Sequence, residues 1–365
     1  MKQKEKDLFK SLCSFKEEMF NENLLDAATP AVLGHLFFNR MQAIAYGTLA
    51  KHGLLGKINR EFRNSLKIAY DQNIGKNNSF FKCVKQVEDA LSGCACKYAM
   101  LKGAYLCKAY PDGYRTSNDI DLLVFPKDVT EIGNALLAAG FKQGNIRNGV
   151  FEPAARKEII ESKMMRGETV PYIKEVGLPH MKFLEVDINF SLDYKPTDTH
   201  LLDEMLNNTV VEQMNDFEVH TLRSDDFFVH LCSHLYKEAT TLPWVEMMRD
   251  MTLYKYCDIY LLLNDAGKEW VGFLFERAKR LKMEKICAFA ILQTAELFSF
   301  KNSYAVGIAT EILADDMDFI HTVASPKDKK EMIFTERNIL ERFFADDRKT
   351  LLEEVNNSEN AKHET

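Results

Sequence analysis

The chain has 365 residues, of which 46% are hydrophobic, 28% charged and 11% aromatic, an ordinary composition for a folded protein of two or three domains. Its 47 Lys and Arg against 54 Asp and Glu give a net charge of −7, which excludes a general polyanion binder and leaves only a local basic patch open. No run reaches the roughly 18 consecutive apolar residues of a membrane-spanning helix, and the opening MKQKEKDLFKSLCSFKEEMF lacks the apolar core of a signal peptide, so a cytoplasmic protein without a membrane partner is expected.

In chain order, helical spacing of apolar residues runs from Leu24 to about Leu91, with Pro30 suited to a first turn and Gly53 to a stop. Two further helices are expected there, one from Lys57 to Gln72 and one from Phe80 to Leu91, closed by Ser92-Gly93. YAMLKG is a short apolar run ending on glycine, AYLCKAY is a brief helical piece, and YPDGYRTSN is rich in turn residues. NDIDLLVF then reads as a strand, and PKDVTEIGNALLAAGF as a helix with Gly140 at its cap position. Residues 142–180 carry Arg147, Arg156, Lys157, Lys163, Arg166 and Lys174 among few aliphatics and are expected to be hairpin and loop. MKFLEVDINFSL is a second clean strand, and the mixed α/β part ends near Tyr194. From about Asp198 to Phe344 helical periodicity returns, and the final twenty residues, poor in aromatics, are expected to be frayed. The implied division is a helical module over 1–95, an α/β core over 96–196, a helical domain over 197–345 forming the other wall of a cleft, and a polar tail over 346–365.

The eight cysteines are scattered, and only Cys94 and Cys96 are close in sequence, with no second pair to complete a zinc knuckle. They read as reduced packing thiols. His230 and His234 stand one helical turn apart, but the glutamate of a zinc-protease helix is absent, so core or interface histidines are the better reading; His234 and Lys237 could instead face a cleft. Phosphate-loop, dinucleotide-binding and nucleophile-elbow signatures are all missing.

The informative feature is Asp119-Ile120-Asp121. Side chains alternate along a strand, so both carboxylates project from one face while Ile120 points into the core. Two acids so close repel each other unless a metal ion, an arginine or a proton intervenes. All-oxygen ligation favours Mg²⁺ or Mn²⁺ over zinc. Glu185-Val186-Asp187 offers a third acid from another strand. With Asp187 facing the pair, three carboxylates can hold two metals about 3.5–4 Å apart, the arrangement that stabilises attacking and leaving oxygens in phosphoryl or nucleotidyl transfer. An Asp-X-Asp alone is more often a solvated strand end; the preceding strand–glycine–helix and the buried LLVF distinguish this one.

With that context, LKGAYLCKAYPDGYRTSNDIDLLV resembles the signature of the uncharacterised nucleotidyltransferases of the DNA polymerase β-like superfamily, and the similarity extends from about Pro30 to Phe300 through VDINFSL, LCSHLYKEA and CDIYLLL. The resemblance implies an α+β fold, a small mixed sheet with flanking helices set between helical modules. It also implies metal-dependent transfer of a nucleoside monophosphate, AMP from ATP being favoured, to a hydroxyl acceptor with loss of pyrophosphate. Asp119, Asp121 and Asp187 would ligate Mg²⁺ or Mn²⁺, Asp187 also serving as general base. Gly103 would let the turn approach the triphosphate, with the amides of the following helix start nearby, and Lys102 and Arg115 would contact phosphate. The acceptor stays open between a small molecule, a protein side chain and an RNA or tRNA end, general nucleic-acid binding not being expected. In one departure Ala104 follows Gly103 where the superfamily has Gly or Ser, which removes a phosphate-facing hydroxyl. A catalytically inactive nucleotide- or partner-binding regulatory protein on the same fold is the alternative.

Overall fold

A computed structural model describes residues 1–165, 167–192, 200–325 and 330–355. Arg166, the expected end of the α/β part near Tyr194 and the last ten residues lie outside the described residues. The chain divides into two compact units. One comprises residues 19–230; the other joins residues 1–18, which contain α1 (Gln3–Cys13), to residues 231–365. In this division the helices between residues 19 and 95 fall in one unit with the sheet, while α1 belongs to the other.

The larger unit begins with α2 (Pro30–Phe38), α3 (Gln42–Lys51) and α4 (Arg60–Leu91). Thr29 and Asn59 cap α2 and α4 by accepting from the amides of Val32 at 3.4 Å and Phe62 at 2.8 Å. α4 is one 32-residue helix, not the two expected over 57–72 and 80–91. Its polar middle, DQNIGKNNS, looked like a break, but that stretch is held by packing. Ser79 donates to the carbonyl of Pro179 at 2.7 Å, Asn73 to that of Gly113 at 2.9 Å, and the His180 ring lies where a Cβ on Gly75 would be only 2.9 Å away.

There follow β1 (Tyr98–Met100), α5 (Gly103–Ala109), β2 (Asp119–Val124), α6 (Val129–Ala138), β3 (Lys142–Arg147), β4 (Val150–Pro153), α7 (Arg156–Met165), β5 (Tyr172–Leu178), β6 (Met181–Asn189), α8 (His200–Leu206), β7 (Thr209–Met214) and β8 (Phe217–Leu222). The eight strands form one mixed sheet in the order β4-β3-β5-β6-β2-β1-β8-β7, with β2 parallel to β6 and β1 parallel to β8. The fold is therefore the expected mixed α+β sheet with flanking helices. Ile120, Leu122 and Val124 of β2 and Val186 and Ile188 of β6 are buried in a core with Phe80, Val84 and Val87 of α4 and Ile132 and Leu136 of α6. Each such side chain contributes about 1.5–3 kcal/mol, which fixes the register of the two central strands.

Two expectations need correcting. Residues 142–180 contain the helix α7 as well as a hairpin, and the sheet continues to Leu222, well into the stretch read as helical from Asp198. The β7–β8 hairpin was hidden by its exposed outer face, Val211, Gln213, Glu218 and His220, and turns at Asn215 with φ +49°.

α9 (Ser224–Ala239) crosses the boundary between the units. The second unit contains α10 (Leu242–Glu246), α11 (Leu253–Leu263), α12 (Lys268–Arg280), α13 (Glu284–Leu297), α14 (Ser303–Ile312), β9 (Thr322–Ser325), β10 (Lys330–Phe334), α15 (Ile339–Phe343) and β11 (Leu352–Glu354). Phe9 of α1 packs on Phe343 and Phe344 at ring separations of 5.7 and 5.3 Å. The three-stranded antiparallel sheet β11-β10-β9 corrects both the all-helical reading of this region and the frayed reading of its end, since Leu352 pairs with Phe334. No helix among the described residues is long and apolar enough to cross a membrane.

Candidate active site

Parallel pairing of β2 and β6 sets Asp119 opposite Glu185 and Asp121 opposite Asp187. All four carboxylates therefore stand on one face at adjacent positions, because period-two alternation keeps Ile120 and Val186 in the core. The hydrophobic register of the strands thus assembles the acid set.

β1 delivers the counter-charge. Two residues after its end, Lys102 adopts φ +44° and ψ −113°, a backbone state that costs a side chain about 1–3 kcal/mol and persists only where its surroundings impose it. The turn aims its ammonium at Asp121, with Nζ 2.9 Å from Oδ1. Asn189 donates to the same oxygen at 3.4 Å, and Ser117 donates to Asp119 Oδ1 at 2.8 Å. Gly103 opens α5 directly beneath Ser117, where an added Cβ would lie 2.4 Å from that serine's Cβ and Oγ. Its lack of a side chain lets the loop carrying Ser117 close over the helix start.

One ammonium among four carboxylates leaves an excess of negative charge, and the titration behaviour reflects it. Burial, then the charges of Asp121, Glu185 and Asp119, hold Asp187 well above the usual carboxylate range, with Lys102 offsetting part of the effect. Burial and the charges of Asp119 and Asp121 raise Glu185 likewise. Burial opposes the charge on Lys102, but Asp121, Asp119 and Asp187 outweigh it and raise its pKa, so it stays protonated.

Among the described residues no three His, Cys, Asp or Glu side chains are gathered closely enough to enclose a metal ion. Asp119 is engaged by Ser117 and Asp121 by Lys102. The donor set nevertheless suits a hard divalent cation, because every donor is oxygen and burial together with neighbouring acids raises the pKa values of Asp187 and Glu185. Asp119, Asp121 and Asp187 are the residues that would hold it.

The loop before β2 is pinned to the helices. Tyr114 covers Gly47 of α3 so closely that any side chain there would collide, and Lys76 of α4 donates to the Asn118 side chain. Of the residues singled out from sequence, Asp119, Asp121, Asp187, Lys102 and Gly103 come together. Arg115, whose guanidinium donates to the Thr116 carbonyl at 2.5 Å, lies on the same loop near Lys76.

Sequence reasoning missed Ser117, Asn189 and Lys76. Ser117 was findable, two residues from the Asp119 it supports, whereas Asn189 reaches Asp121 only across the paired strands and Lys76 is brought in only by tertiary packing. His234 pairs with Glu238 at 3.1 Å, and Glu238 also meets Lys255, so that histidine belongs to an ion network of α9 and α11. All eight cysteines are free thiols.

Compared with known families, residues 29–299 match the family described as uncharacterised nucleotidyltransferase. No curated protein matches the chain at a significant level.

Proposed function

The chain belongs to the uncharacterised nucleotidyltransferase family, and from that premise we propose that it transfers a nucleoside monophosphate, AMP from ATP being favoured, to an acceptor hydroxyl. The observation that carries this reading is the strand register that sets Asp121 beside Asp187 with Asp119 on the same face.

In the proposed reaction the acceptor oxygen attacks the α-phosphorus, a new P–O bond forms in line with the one that breaks, and pyrophosphate departs. Asp187 takes the hydroxyl proton. A divalent cation held by Asp119, Asp121 and Asp187 would supply charge neutralisation at the phosphates. Lys102, which pairs with Asp121, would be freed if a cation took that carboxylate and could then meet a phosphate oxygen. Ser117 and Asn189 orient the acids. Catalysis on this reading consists of positioning and electrostatic stabilisation.

A binding-only protein on the same fold is the second reading. It draws support from Ala104 and from the Lys102–Asp121 pair, which gives Asp121 a partner without any metal.

Thermal unfolding with ATP, GTP, CTP or UTP, with and without Mg²⁺ or Mn²⁺, on the wild type and Asp121→Ala, tests the two. A ligand at a hundred times its dissociation constant adds about 2.7 kcal/mol to stability. Stabilisation by one nucleotide only with metal, abolished by Asp121→Ala, supports transfer. Stabilisation indifferent to both metal and Asp121 supports the binding protein, and no shift with any nucleotide removes the transferase proposal's substrate.

A further inference from the structure

The backbone at Lys102 contradicts its residue type. Leu101–Ala104 form a tight turn closed by the Ala104 amide, which donates to the Leu101 carbonyl at 3.2 Å. Lys102, with φ +44° and ψ −113°, takes the first central position of a type II′ turn. Glycine is the usual occupant of that position, yet Gly103 stands one residue later. A local preference broken beside a functional site marks a side chain whose placement matters.

The strained turn secures one contact, the ammonium 2.9 Å from Asp121 Oδ1. The turn is also tied to that acid's strand, because the Leu101 amide donates to the Asp121 carbonyl at 2.9 Å. Asn189 holds the same carboxylate oxygen at 3.4 Å, so Asp121 keeps its orientation when the lysine leaves, and rotation of the lysine side chain is enough to break the pair. Asp121 is buried and has Asp187 directly opposite it in the register. An ammonium and a divalent cation on that carboxylate exclude one another, since their charges repel over a few ångströms. With the lysine in place, no three acids among the described residues are gathered closely enough to enclose an ion.

We propose that Lys102 is a built-in competitor for the cation: its ammonium holds Asp121 until the charge of an incoming nucleoside triphosphate draws it away, so that the metal ion enters with the nucleotide and not before it. The proposal rests on the transferase reading for its nucleotide and deepens that reading by fixing an order of binding. It also gives the Lys102–Asp121 pair a meaning that a binding-only protein would not need.

The test is Mn²⁺ titration of the full chain, followed by the spin-resonance signal of the unbound ion. It is run alone and with the α,β-methylene analogues of ATP, GTP, CTP and UTP, tried separately, which bind without being cleaved. The proteins are the wild type, K102Q, K102G, K76Q, D121N and the double variant K102Q/D121N. Wild-type protein is expected to bind Mn²⁺ weakly alone and far more tightly with one analogue. K102Q and K102G should bind Mn²⁺ alone at least about tenfold more tightly than the wild type, the scale of one unit charge acting at short range in a half-buried site. They should gain less from the analogue, and K102Q/D121N should lose the improvement. K76Q removes a cation bonded to Asn118 rather than to an acid, and should change Mn²⁺ affinity by less than about threefold. Equal Mn²⁺ binding by wild type and K102Q, with analogue-dependent binding that D121N abolishes, would overturn the competitor and leave the transferase reading standing. An improvement in K76Q as large as that in K102Q would also overturn it, by showing a general effect of charge. Tighter Mn²⁺ binding by K102Q with no effect of any analogue on any protein would keep Lys102 as the block on the cation and overturn both release by nucleotide and the transferase reading. No Mn²⁺ binding by any protein under any condition would overturn both proposals. Melting curves identify a variant that has not folded. Glycine adopts the Lys102 backbone state without strain, so K102G carries the test if K102Q fails.

Discussion

Two buried charge clusters, one in each unit, handle the same problem in opposite ways. In the smaller unit Arg348 meets Asp250 with its guanidinium fork, Nε lying 2.8 Å and the second nitrogen 2.6 Å from Oδ1, while both side chains are nearly inaccessible. Charge matches charge there, and a third nitrogen reaches the Phe343 carbonyl. On β2 and β6, four carboxylates crowd around the ammonium of Lys102, and two of them are driven toward protonation. A pair of the first kind completes a fold. A set of the second kind leaves the fold with charge for a ligand to neutralise, which is why the strained backbone, the tight glycine and the crowded acids occur at the second site.

The largest expected effects separate the two clusters by what each substitution damages. Asp187→Asn should reduce nucleotidyl transfer by at least about 10²–10³-fold, the scale of losing a group that acts on transition-state charge. The metal-free protein should at the same time become more stable at neutral pH. Pyrophosphate release and a urea melt in EDTA read the two consequences, and a variant less stable than the wild type would contradict the surplus-charge account. Arg348→Met should do the reverse. It strands Asp250 in the interior and should cost about 3–5 kcal/mol, while the stabilisation conferred by nucleotide and metal stays unchanged.

The two units should also answer acid oppositely. Asp187 and Glu185 have folded-state pKa values above their unfolded ones, so they take up protons on folding. Their contribution to stability is full below the unfolded value of about 4 and is lost as pH rises through the raised folded values. Lowering the pH of the metal-free protein from neutral toward 5 should therefore stabilise it through these groups. His321 is held neutral by burial and then by the charges of Arg342 and Arg337, which bring its pKa down from 6.5 to about 4, and its ring lies 3.3 Å from the Arg342 guanidinium. Its contribution is present above 6.5 and is lost as pH falls through 4. Urea melts at pH 7.5, 6 and 5 in EDTA, with Asp187→Asn and His321→Gln each removing one of the opposed slopes, resolve the two. A wild-type pH dependence untouched by Asp187→Asn would show that the carboxylates are not coupled as the register suggests.

The local half of this architecture could be read from sequence and the tertiary half could not. Asp119, Asp121 and Asp187 were legible because a period-two pattern places acids on one face whatever the strands pair with. Gly103 was legible as a turn, but the sequence assigned it to phosphate when its immediate neighbour is Ser117, brought back from fourteen residues on. The break expected within α4 followed from the polarity of DQNIGKNNS, which is explained only by the groups that contact it, His180, Pro179 and Gly113. The β7–β8 hairpin was missed because an edge strand with one solvated face has too few apolar residues to declare itself. Lys76 carries no local signal at all, since it reaches Asn118, beside the acid strand, only through tertiary packing.

The smallest expected effect tests the link between Gly103 and the acid set. Gly103→Ala inserts a methyl group 2.4 Å from Ser117 Cβ and Oγ, closer than atoms can approach, so the loop before β2 must retreat. Overpacking of this kind costs about 1–3 kcal/mol. The retreat also pulls the Ser117 hydroxyl from Asp119, so metal-dependent nucleotide binding should weaken together with stability. The second substitution Ser117→Gly removes both clashing atoms. It should restore most of the stability without restoring the hydrogen bond to Asp119, leaving binding below the wild type. If the double variant regains stability and binding together, Ser117 matters only as an obstacle. If it regains neither, the glycine is required by something other than the serine above it.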